Sequence, residues 1–509
     1  MDVLGLLSPL FFLLAGCGAL IGIFFGAIPG MTATMAVAVC LPLTYVLGLH
    51  EGLALLLGLY VGGISGGMLP AVLLNIPGTP SSITTTFDGY PLAKQGKAFH
   101  ALYVCIFASL FGGVFSAIIL YFFAPALSDV AIKFSYVEKF LVILFALSVI
   151  ASLSKRPIIG VVSGLVGVLL SLVGAYDIAK GGNGEVRLLF DFMTPYLESG
   201  FSLLPVLIGL FGITTLLKVA VRSRSELNPD NVSSLPHTLA SQTRFRLSYA
   251  SFKYHLPNAL RSSSIGTFVG MLPGIGGSAA SVLAYSQQKN FSRQPELMGS
   301  GRSEGLVASE SANNSLTGGA LIPLLSLGIP GDSTTAILIG AFTLQGIQVG
   351  PLFIGEHVQT WQAMLIALVF ANLIMFCCLF FALKYIVRIL SVPTYILYPI
   401  ILLMCVVGAY AINYGIMFDV WTLLIFGLFG LVAEKIGIEI APLVIGFILG
   451  SPAEIYFVKS LESYGDLSIF FTKSPIAILL WLLIFGSVLY SILSHRRASN
   501  RKRARSPGS

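Results

Sequence analysis

Residues 75–91 read NIPGTPSSITTTFDGYP and lie between two long apolar runs of the chain. Three prolines, two glycines, six serines and threonines and one aspartate stand together in this short stretch. Of the 509 residues, however, 56% are hydrophobic and only 10% are charged, and the mean hydropathy is +0.90. Apolar runs recur at close to the roughly 20 residues that a helix needs to cross a bilayer. The stretch is therefore a polar interruption inside membrane-depth sequence.

The composition predicts an all-α polytopic membrane protein with roughly ten to fourteen membrane helices, some of them broken or re-entrant. The net charge of +7 comes from basic residues grouped near 222–261 and in the tail HRRASNRKRARS at 495–506. Such clusters are typical of cytoplasmic segments under the positive-inside rule, so we expect a cytoplasmic C-terminus. Since no base-reading or stacking module accompanies these charges, nucleic acid is not an expected partner.

The chain shows no residue pattern of an enzyme or of a cofactor site. The six cysteines lie in apolar runs without Cys-x-x-Cys spacing, and the six histidines show no ligand spacing. The segment GIGGSA (274–279) resembles a dinucleotide fingerprint, but a soluble strand–turn–helix unit does not surround it. We therefore expect a protein that is not an enzyme and that uses no organic cofactor and no metal beyond a coupling ion.

Four sequence words recur in the same order in the two halves of the chain. GAIPG (26–30) matches GMLPG (270–274) at an offset of 244, and SGGMLPAVLLNIPG (65–78) matches TGGALIPLLSLGIPG (317–331) at 253. The pairs VGAY and PVLIGLFG/PLVIGFILG follow at similar offsets. These matches predict an internal duplication. Inverted repeats are commoner than parallel ones in transporters with broken helices, so inversion is expected and a parallel arrangement stays an alternative. The predicted regions are a first membrane repeat at 1–220, a cytoplasmic linker at 221–257, a second membrane repeat at 258–495 and a basic cytoplasmic tail at 496–509.

The duplication places four Pro-Gly pairs inside apolar sequence, each followed by small or hydroxyl residues and a fresh apolar run. Proline ends a helix and glycine permits a turn, so the next helix begins with unpaired N–H groups and a partial positive charge. Broken backbone is tolerated at membrane depth where it lines a cavity, and helix starts attract anions. Simple kinks are the alternative. The predicted substrate-binding residues are Pro29, Gly30, Thr32, Thr34, Pro77, Gly78, Thr79, Ser81, Ser82, Pro273, Gly274, Gly276, Gly277, Ser278, Pro330, Gly331, Ser333, Thr334 and Thr335.

Further polar residues near the breaks have two interpretations each. Thr32, Thr79, Ser278 and Asp332 are candidate N-caps, and Pro80 suits a first helical position behind Thr79. Amide and carboxylate oxygens could also bind Na⁺ or carry H⁺, whereas capping or packing is the alternative. Asp88 either closes a turn or binds a cation, and Glu304 and Glu310 are expected to be loop residues at a membrane face. The predicted ion-binding residues are Asn75, Asn313, Asn314 and Asp332.

From about residue 15 to 490 the chain resembles the large membrane subunit of the tripartite tricarboxylate transporters, the TctA-type permeases. The segment PGTPSSITTTFDGYPLAKQGKA is the most specific part of this resemblance, which Asn313 to Thr335 also carry. The resemblance implies a bacterial inner-membrane permease with a small membrane subunit of about four helices and a periplasmic solute-binding protein. It also implies uptake of citrate-like carboxylates driven by Na⁺ or H⁺. The rival interpretations are a stand-alone ion-coupled carboxylate symporter or channel without a binding protein, and a membrane enzyme or scaffold.

Overall fold

The computed structural model describes residues 8–153, 157–176, 184–188, 194–221, 249–387, 394–412 and 415–489. Within these ranges the chain is helical almost throughout, which confirms the prediction of an all-α fold. The strands among the described residues are β1 (Gly174–Ala175) and β2 (Val186–Arg187), which pair antiparallel with Gly174 opposite Arg187.

The first half of the chain begins with a helix that Ser8 caps by accepting a hydrogen bond from the Phe11 N–H. A 3₁₀ turn, Leu41–Tyr45, follows the helix that ends at Cys40, and a second, Pro80–Ser82, precedes the helix that begins at Ile83. A π-helical segment, Ile208–Ile213, joins the helix that ends at Leu207 to the helix that begins at Thr214. The helices are α1 (Pro9–Ala27), α2 (Ala33–Cys40), α3 (Leu49–Gly66), α4 (Met68–Leu74), α5 (Ile83–Lys94), α6 (Ala98–Ala131), α7 (Tyr136–Leu153), α8 (Pro157–Ser171), α9 (Thr194–Leu197), α10 (Leu203–Leu207) and α11 (Thr214–Val221).

The second half begins, within the described residues, at Tyr249. Its helices are α12 (Tyr249–Met271), α13 (Gly276–Phe291), α14 (Ser303–Leu327), α15 (Ser333–Leu344), α16 (Phe353–Glu356), α17 (Val358–Ile386), α18 (Thr394–Ile412), α19 (Met417–Lys435), α20 (Ile440–Tyr464), α21 (Ile469–Thr472) and α22 (Pro475–Leu489), with a 3₁₀ turn at Pro295–Leu297 between α13 and α14.

Six helical stretches of the described chain are long and apolar enough to cross a membrane. Shorter apolar helices, among them α8, α15 and α22, accompany them. The protein is therefore a multi-pass membrane protein. The six stretches are α1, Leu49–Leu74 (α3 and α4 together), α6, α17, α19 and α20.

The chain forms two compact units, each built from two separate stretches. The first comprises Met1–Asp129 and Leu207–Leu431 and carries all four Pro-Gly breaks. The second comprises Val130–Val206 and Val432–Ser509, and in it the Phe140 ring lies 5.3 Å from the Phe457 ring. This division differs from the predicted repeats, whose boundaries stay a prediction. Residues 222–248 of the predicted linker and the whole predicted tail lie outside the described residues, and α12 already covers 249–257.

Two helix pairs of the first unit are packed in the same way. A methyl group at Gly66 of α3 would lie 2.5 Å from the Ile23 carbonyl oxygen of α1, so these backbones touch. At Gly319 of α14 a methyl group would overlap the Thr267 carbonyl oxygen of α12. Ile23 and Thr267 are 244 residues apart, and Gly66 and Gly319 are 253 apart. These are the same offsets that relate the matching segments of the two halves. Small residues are what permits helices to approach this closely in a membrane.

Candidate functional site

Each Pro-Gly pair lies in a short irregular segment between two helices. The breaks separate α1 from α2, α4 from α5, α12 from α13 and α14 from α15. Gly30 and Gly274 adopt left-handed backbone, with φ of 92° and 75°, as expected for glycines that turn the chain.

For Gly78 and Gly331 the expectation of a left-handed glycine is wrong, because their φ angles are not in the left-handed region. In these two breaks the left-handed residue comes earlier, at Asn75 and Gly328, where α4 and α14 end. Gly331 is required for space instead, since a methyl group there would lie 2.5 Å from the Gly270 carbonyl oxygen. At Gly78 a methyl group would overlap the carbonyl oxygen of Gly26, the residue that corresponds to Gly270.

Three of the four predicted N-caps are confirmed. Thr32 accepts a hydrogen bond from the Met35 N–H at 3.1 Å, Thr79 forms a capping box with Ser82, and Asp332 forms one with Thr335. Pro80 follows Thr79 at the first position of its 3₁₀ turn, as predicted.

The predicted cap at Ser278 is wrong. The helix α13 begins at Gly276, whose φ of 70° admits the chain directly into the helix, and Ile275 is its N-cap residue without a side-chain hydrogen bond. Ser278 therefore lies inside the first turn, where its carbonyl oxygen accepts from the Ser281 hydroxyl.

The breaks meet one another in the first unit. The Thr34 and Thr334 hydroxyls, at the starts of α2 and α15, are 2.9 Å apart. The Gly274 N–H donates to the Gly331 carbonyl oxygen at 2.8 Å, which joins the third break to the fourth. On another side, the Ser281 hydroxyl of α13 donates to the Ser81 carbonyl oxygen at 2.9 Å. Helix starts from all four breaks therefore converge, although the sequence places them up to 300 residues apart.

The remaining predicted substrate residues lie in or next to these breaks with differing exposure. Pro273 and Pro330 are buried, Gly30 is exposed, and Pro29, Pro77 and Ser333 are half-buried. Asn75 is exposed, and its place is explained by the left-handed end of α4. The structure does not join the Asn75 side chain to the other predicted ion-binding residues.

A buried polar network crosses the first unit beside the breaks. The Glu310 carboxylate, in the middle of α14, accepts from the Thr85 hydroxyl at 2.5 Å and from the Ser109 hydroxyl at 3.2 Å. The Asn314 amide donates to Ser109 at 2.8 Å and accepts from Ser65 at 2.6 Å. The expectation that Glu310 is a loop residue is wrong, because it is helical and completely buried. The residues next to Glu310 in the sequence do not reveal these hydrogen-bond partners, because the partners lie more than 200 residues away.

Glu304 also belongs to α14, in its first turn, and so is not a loop residue. Its carboxylate accepts from the Tyr254 hydroxyl at 3.1 Å, near the entry to the helix.

Asp332 and Asn313 differ in how many of their side-chain atoms form hydrogen bonds. Asp332 uses both carboxylate oxygens: Oδ1 accepts from the Thr335 N–H at 2.8 Å, and Oδ2 from the Tyr60 hydroxyl at 2.6 Å. Asn313 is only 1% exposed and its amide neighbours the Glu310 carboxylate, yet its amide oxygen has no hydrogen-bond partner. Native proteins rarely leave a buried amide unsatisfied, so Asn313 is the side chain that is best placed to contact a ligand.

Asp88 is buried within α5 and stabilises a loop that is distant in sequence. Its Oδ1 accepts from the backbone N–H groups of Gly299, Gly301 and Arg302 at 2.7–3.0 Å, and its Oδ2 accepts from the Tyr285 hydroxyl at 2.8 Å. The turn predicted at FDGYP is wrong, because the helix α5 continues through these residues, and Asp88 instead anchors a loop at 299–302.

The buried ionisable side chains of the region are acids. Among the described residues no lysine or arginine is buried, whereas Asp88, Glu310 and Asp332 are. Groups of three or more His, Cys, Asp or Glu side chains that could hold a metal ion are absent from the described part of the chain. The arrangement therefore offers helix starts and hydroxyls to an anion, and carboxylate and amide oxygens to a cation.

Comparison with known proteins gives one family and two curated relatives. Residues 10–445 match the model of the tripartite tricarboxylate transporter TctA family. An uncharacterized 52.8 kDa protein in the TAR-I ttuC' 3' region of Agrobacterium vitis is 32% identical over 499 residues, covering 97% of this chain and 96% of the relative. An uncharacterized protein in the TAR-II ttuC' 3' region of the same organism is 36% identical over 235 residues, covering 45% of this chain and 97% of the relative. No solved structure matches the chain significantly.

Proposed function

The chain belongs to the tripartite tricarboxylate transporter TctA family, and on that premise we propose that it is the large transmembrane permease subunit of a binding-protein-dependent secondary transporter. It takes up a small organic anion, a citrate-like di- or tricarboxylate, by symport with Na⁺ or H⁺. The observation that carries this proposal is the convergence of four helix starts, each with hydroxyl side chains, in one compact unit.

The anion is bound by the helix starts. The partial positive charge at each start and the N–H groups that the caps do not use favour carboxylates, and Thr34, Thr334 and Ser81 add hydroxyl donors. Because the buried ionisable side chains of the region are acids, an anionic substrate needs a compensating cation. Coupling to a cation gradient follows from this requirement.

Family membership supports the proposed partners. A periplasmic solute-binding protein delivers the carboxylate, and a small membrane subunit of about four helices completes the complex in the bacterial inner membrane. The basic C-terminal segment supports a cytoplasmic C-terminus.

The test is uptake of radiolabelled citrate into proteoliposomes that contain the full chain. It is measured with and without the small subunit and binding protein encoded in neighbouring reading frames. We expect uptake only when all three proteins are present. Uptake by the purified chain alone would instead establish a stand-alone symporter or channel.

The site assignment has its own variant and control. Thr334→Val removes a hydroxyl at the convergence of the breaks, and we expect uptake to fall about tenfold or more, as for a lost hydrogen bond to a charged ligand. Thr343→Val is the matched control, because Thr343 lies on the exposed side of the same helix and bonds only to the Ile339 carbonyl oxygen. Equal uptake by both variants would refute the assignment.

A further inference from the structure

Glu310 is a buried acid that only neutral groups surround. The hydroxyls of Thr85 and Ser109 donate to its two carboxylate oxygens, and the Asn314 Nδ2 lies 3.4 Å from Oε2. Among the residues that the structure describes, no lysine, arginine or histidine forms an ion pair with it. Burying an ionised carboxylate without a cationic partner is strongly unfavourable, so Glu310 is ionised in this site only when a cation that the chain does not supply binds beside it.

Several titratable groups of the elements that pack around α14 bond to partners other than Glu310. Asp88 and Tyr285 bond to each other, Tyr60 bonds to Asp332, and Arg261 is paired with Gln288. The groups to consider are Cys105 on α6, Asp88 on α5, Tyr285 on α13, Tyr60 on α3, and His255 and Arg261 on α12. None of them neutralises Glu310.

Asn313 is an independent sign of a ligand at the same place. It lies three residues after Glu310, so the two side chains are neighbours on the helix surface. Its Oδ1 lies 3.0 Å from the position of a methyl group at Gly277, which directs the amide toward the start of α13. The Asn313 amide neighbours the Glu310 carboxylate, and its Oδ1 is buried without a hydrogen-bond partner, which is unfavourable unless something binds it.

We propose that Glu310 and Asn313 form a Na⁺ site, with the Thr85 and Ser109 hydroxyl oxygens as further ligands. Carboxylate, carboxamide and hydroxyl oxygens are the ligands that hard cations prefer. A proton would also neutralise Glu310, and its O–H could donate to a neighbouring oxygen, so the choice of Na⁺ rests on the set of carboxylate, amide and hydroxyl oxygens gathered here. The inference rests on the proposed cation symport and names its ion and its ligands.

This site keeps one of the four ion-binding residues predicted from the sequence, since the Asn314 amide already bonds to Ser109 and Ser65. Asn75 is exposed at the end of α4, and both carboxylate oxygens of Asp332 already accept hydrogen bonds from Tyr60 and Thr335. Asp332 is therefore a helix cap here, and Asn313 is the predicted residue that remains a ligand.

The experiment measures thermal unfolding of the purified full chain in detergent during titration with NaCl, with choline chloride holding the ionic strength constant. Wild-type protein should show a saturable rise in unfolding temperature, because Na⁺ binds only the folded state. Glu310→Gln keeps the size of the side chain and removes its charge. We expect its Na⁺ affinity to fall at least ~10-fold, while its unfolding temperature without Na⁺ equals or exceeds that of wild type. Asn313→Ala should weaken the response by a similar factor.

Glu304→Gln is the matched control, since Glu304 lies on the same helix outside this cluster and should leave the Na⁺ response intact. Three results would overturn the site. The first is an equal loss of unfolding temperature in Glu310→Gln with and without Na⁺. The second is a Na⁺ response that Asp332→Asn abolishes and Glu310→Gln retains. The third is a wild-type protein that responds to pH and not to Na⁺.

Failure of this inference and failure of the proposed function are distinguishable in the reconstituted system. Citrate uptake that is independent of Na⁺ would refute the Na⁺ site and would still support a carboxylate permease. Na⁺ binding at Glu310 without carboxylate uptake under any combination of partners would leave the site and remove the function.

Discussion

Replacing Asp88 tests whether this carboxylate stabilises the loop before α14 or binds a ligand. Three backbone N–H groups, those of Gly299, Gly301 and Arg302, converge on Oδ1, while the Tyr285 hydroxyl bonds to Oδ2. Asp88→Asn can keep Oδ1 as the acceptor of all three N–H groups, and Tyr285 can reverse to accept from the new amide. Asp88→Ala removes every acceptor at once.

The expected magnitudes differ between the two variants. A hydrogen bond to a charged group contributes about 1.5–3 kcal/mol and a neutral one about 0.5–1.5 kcal/mol, so Asp88→Asn loses roughly 1 kcal/mol for each N–H. Easier burial of a neutral amide offsets part of this loss, which leaves a net destabilisation of about 1–3 kcal/mol. In Asp88→Ala each of the three N–H groups is left unsatisfied at about 1–3 kcal/mol, so the loss should be about 3 kcal/mol or more.

The assay is the unfolding temperature of each purified variant, together with the concentration dependence of citrate uptake for Asp88→Asn. We expect unfolding temperature to decrease in the order wild type, Asn, Ala, and the substrate concentration for half-maximal uptake to stay unchanged in Asp88→Asn. An Asp88→Asn protein with wild-type unfolding temperature and a tenfold higher half-maximal concentration would show that Asp88 contacts the ligand.

Two further substitutions test the packing of the breaks. In Gly331→Ala the new methyl group lies 2.5 Å from the Gly270 carbonyl oxygen, whereas ordinary contact begins at 3.4 Å, so backbone must move and stability should fall by about 1–3 kcal/mol. Gly355→Ala places a methyl group with nothing within 4 Å and should leave the unfolding temperature unchanged; equal effects of the two would contradict the close approach. Tyr60→Phe removes the hydroxyl that donates to Asp332 at 2.6 Å and should lower stability by about 1.5–3 kcal/mol, which an unchanged unfolding temperature would refute.

The local chemistry of the breaks could be predicted from the sequence. Thr32, Thr79 and Asp332 act as caps because a cap forms between residues two or three apart, inside any short window. Ser278 fails for an equally local reason: Gly276 can start a helix from a left-handed conformation, and the sequence does not show which of the neighbouring glycines does so.

Close packing was only partly predictable. The sequence identifies Gly78 and Gly331 as special, but it assigns them a conformational role that Asn75 and Gly328 perform. Their true role is to admit the carbonyl oxygens of Gly26 and Gly270, which lie on helices distant along the chain. The distance between two helices depends on how they pack in the tertiary structure. The sequence of one segment does not show that distance.

The sequence alone determined that this chain is an all-helical membrane protein with four polar breaks, because hydropathy, proline and glycine act over a few residues or one helix length. Only the tertiary structure decided the roles of the acids. Glu310 is buried because Thr85 and Ser109, 225 and 201 residues away, provide its hydrogen bonds. Asp88 is a loop anchor because its N–H donors lie 211–214 residues further on. Whether a carboxylate in apolar sequence faces solvent, a loop or an ion depends on such partners, and the folding of the chain brings them together.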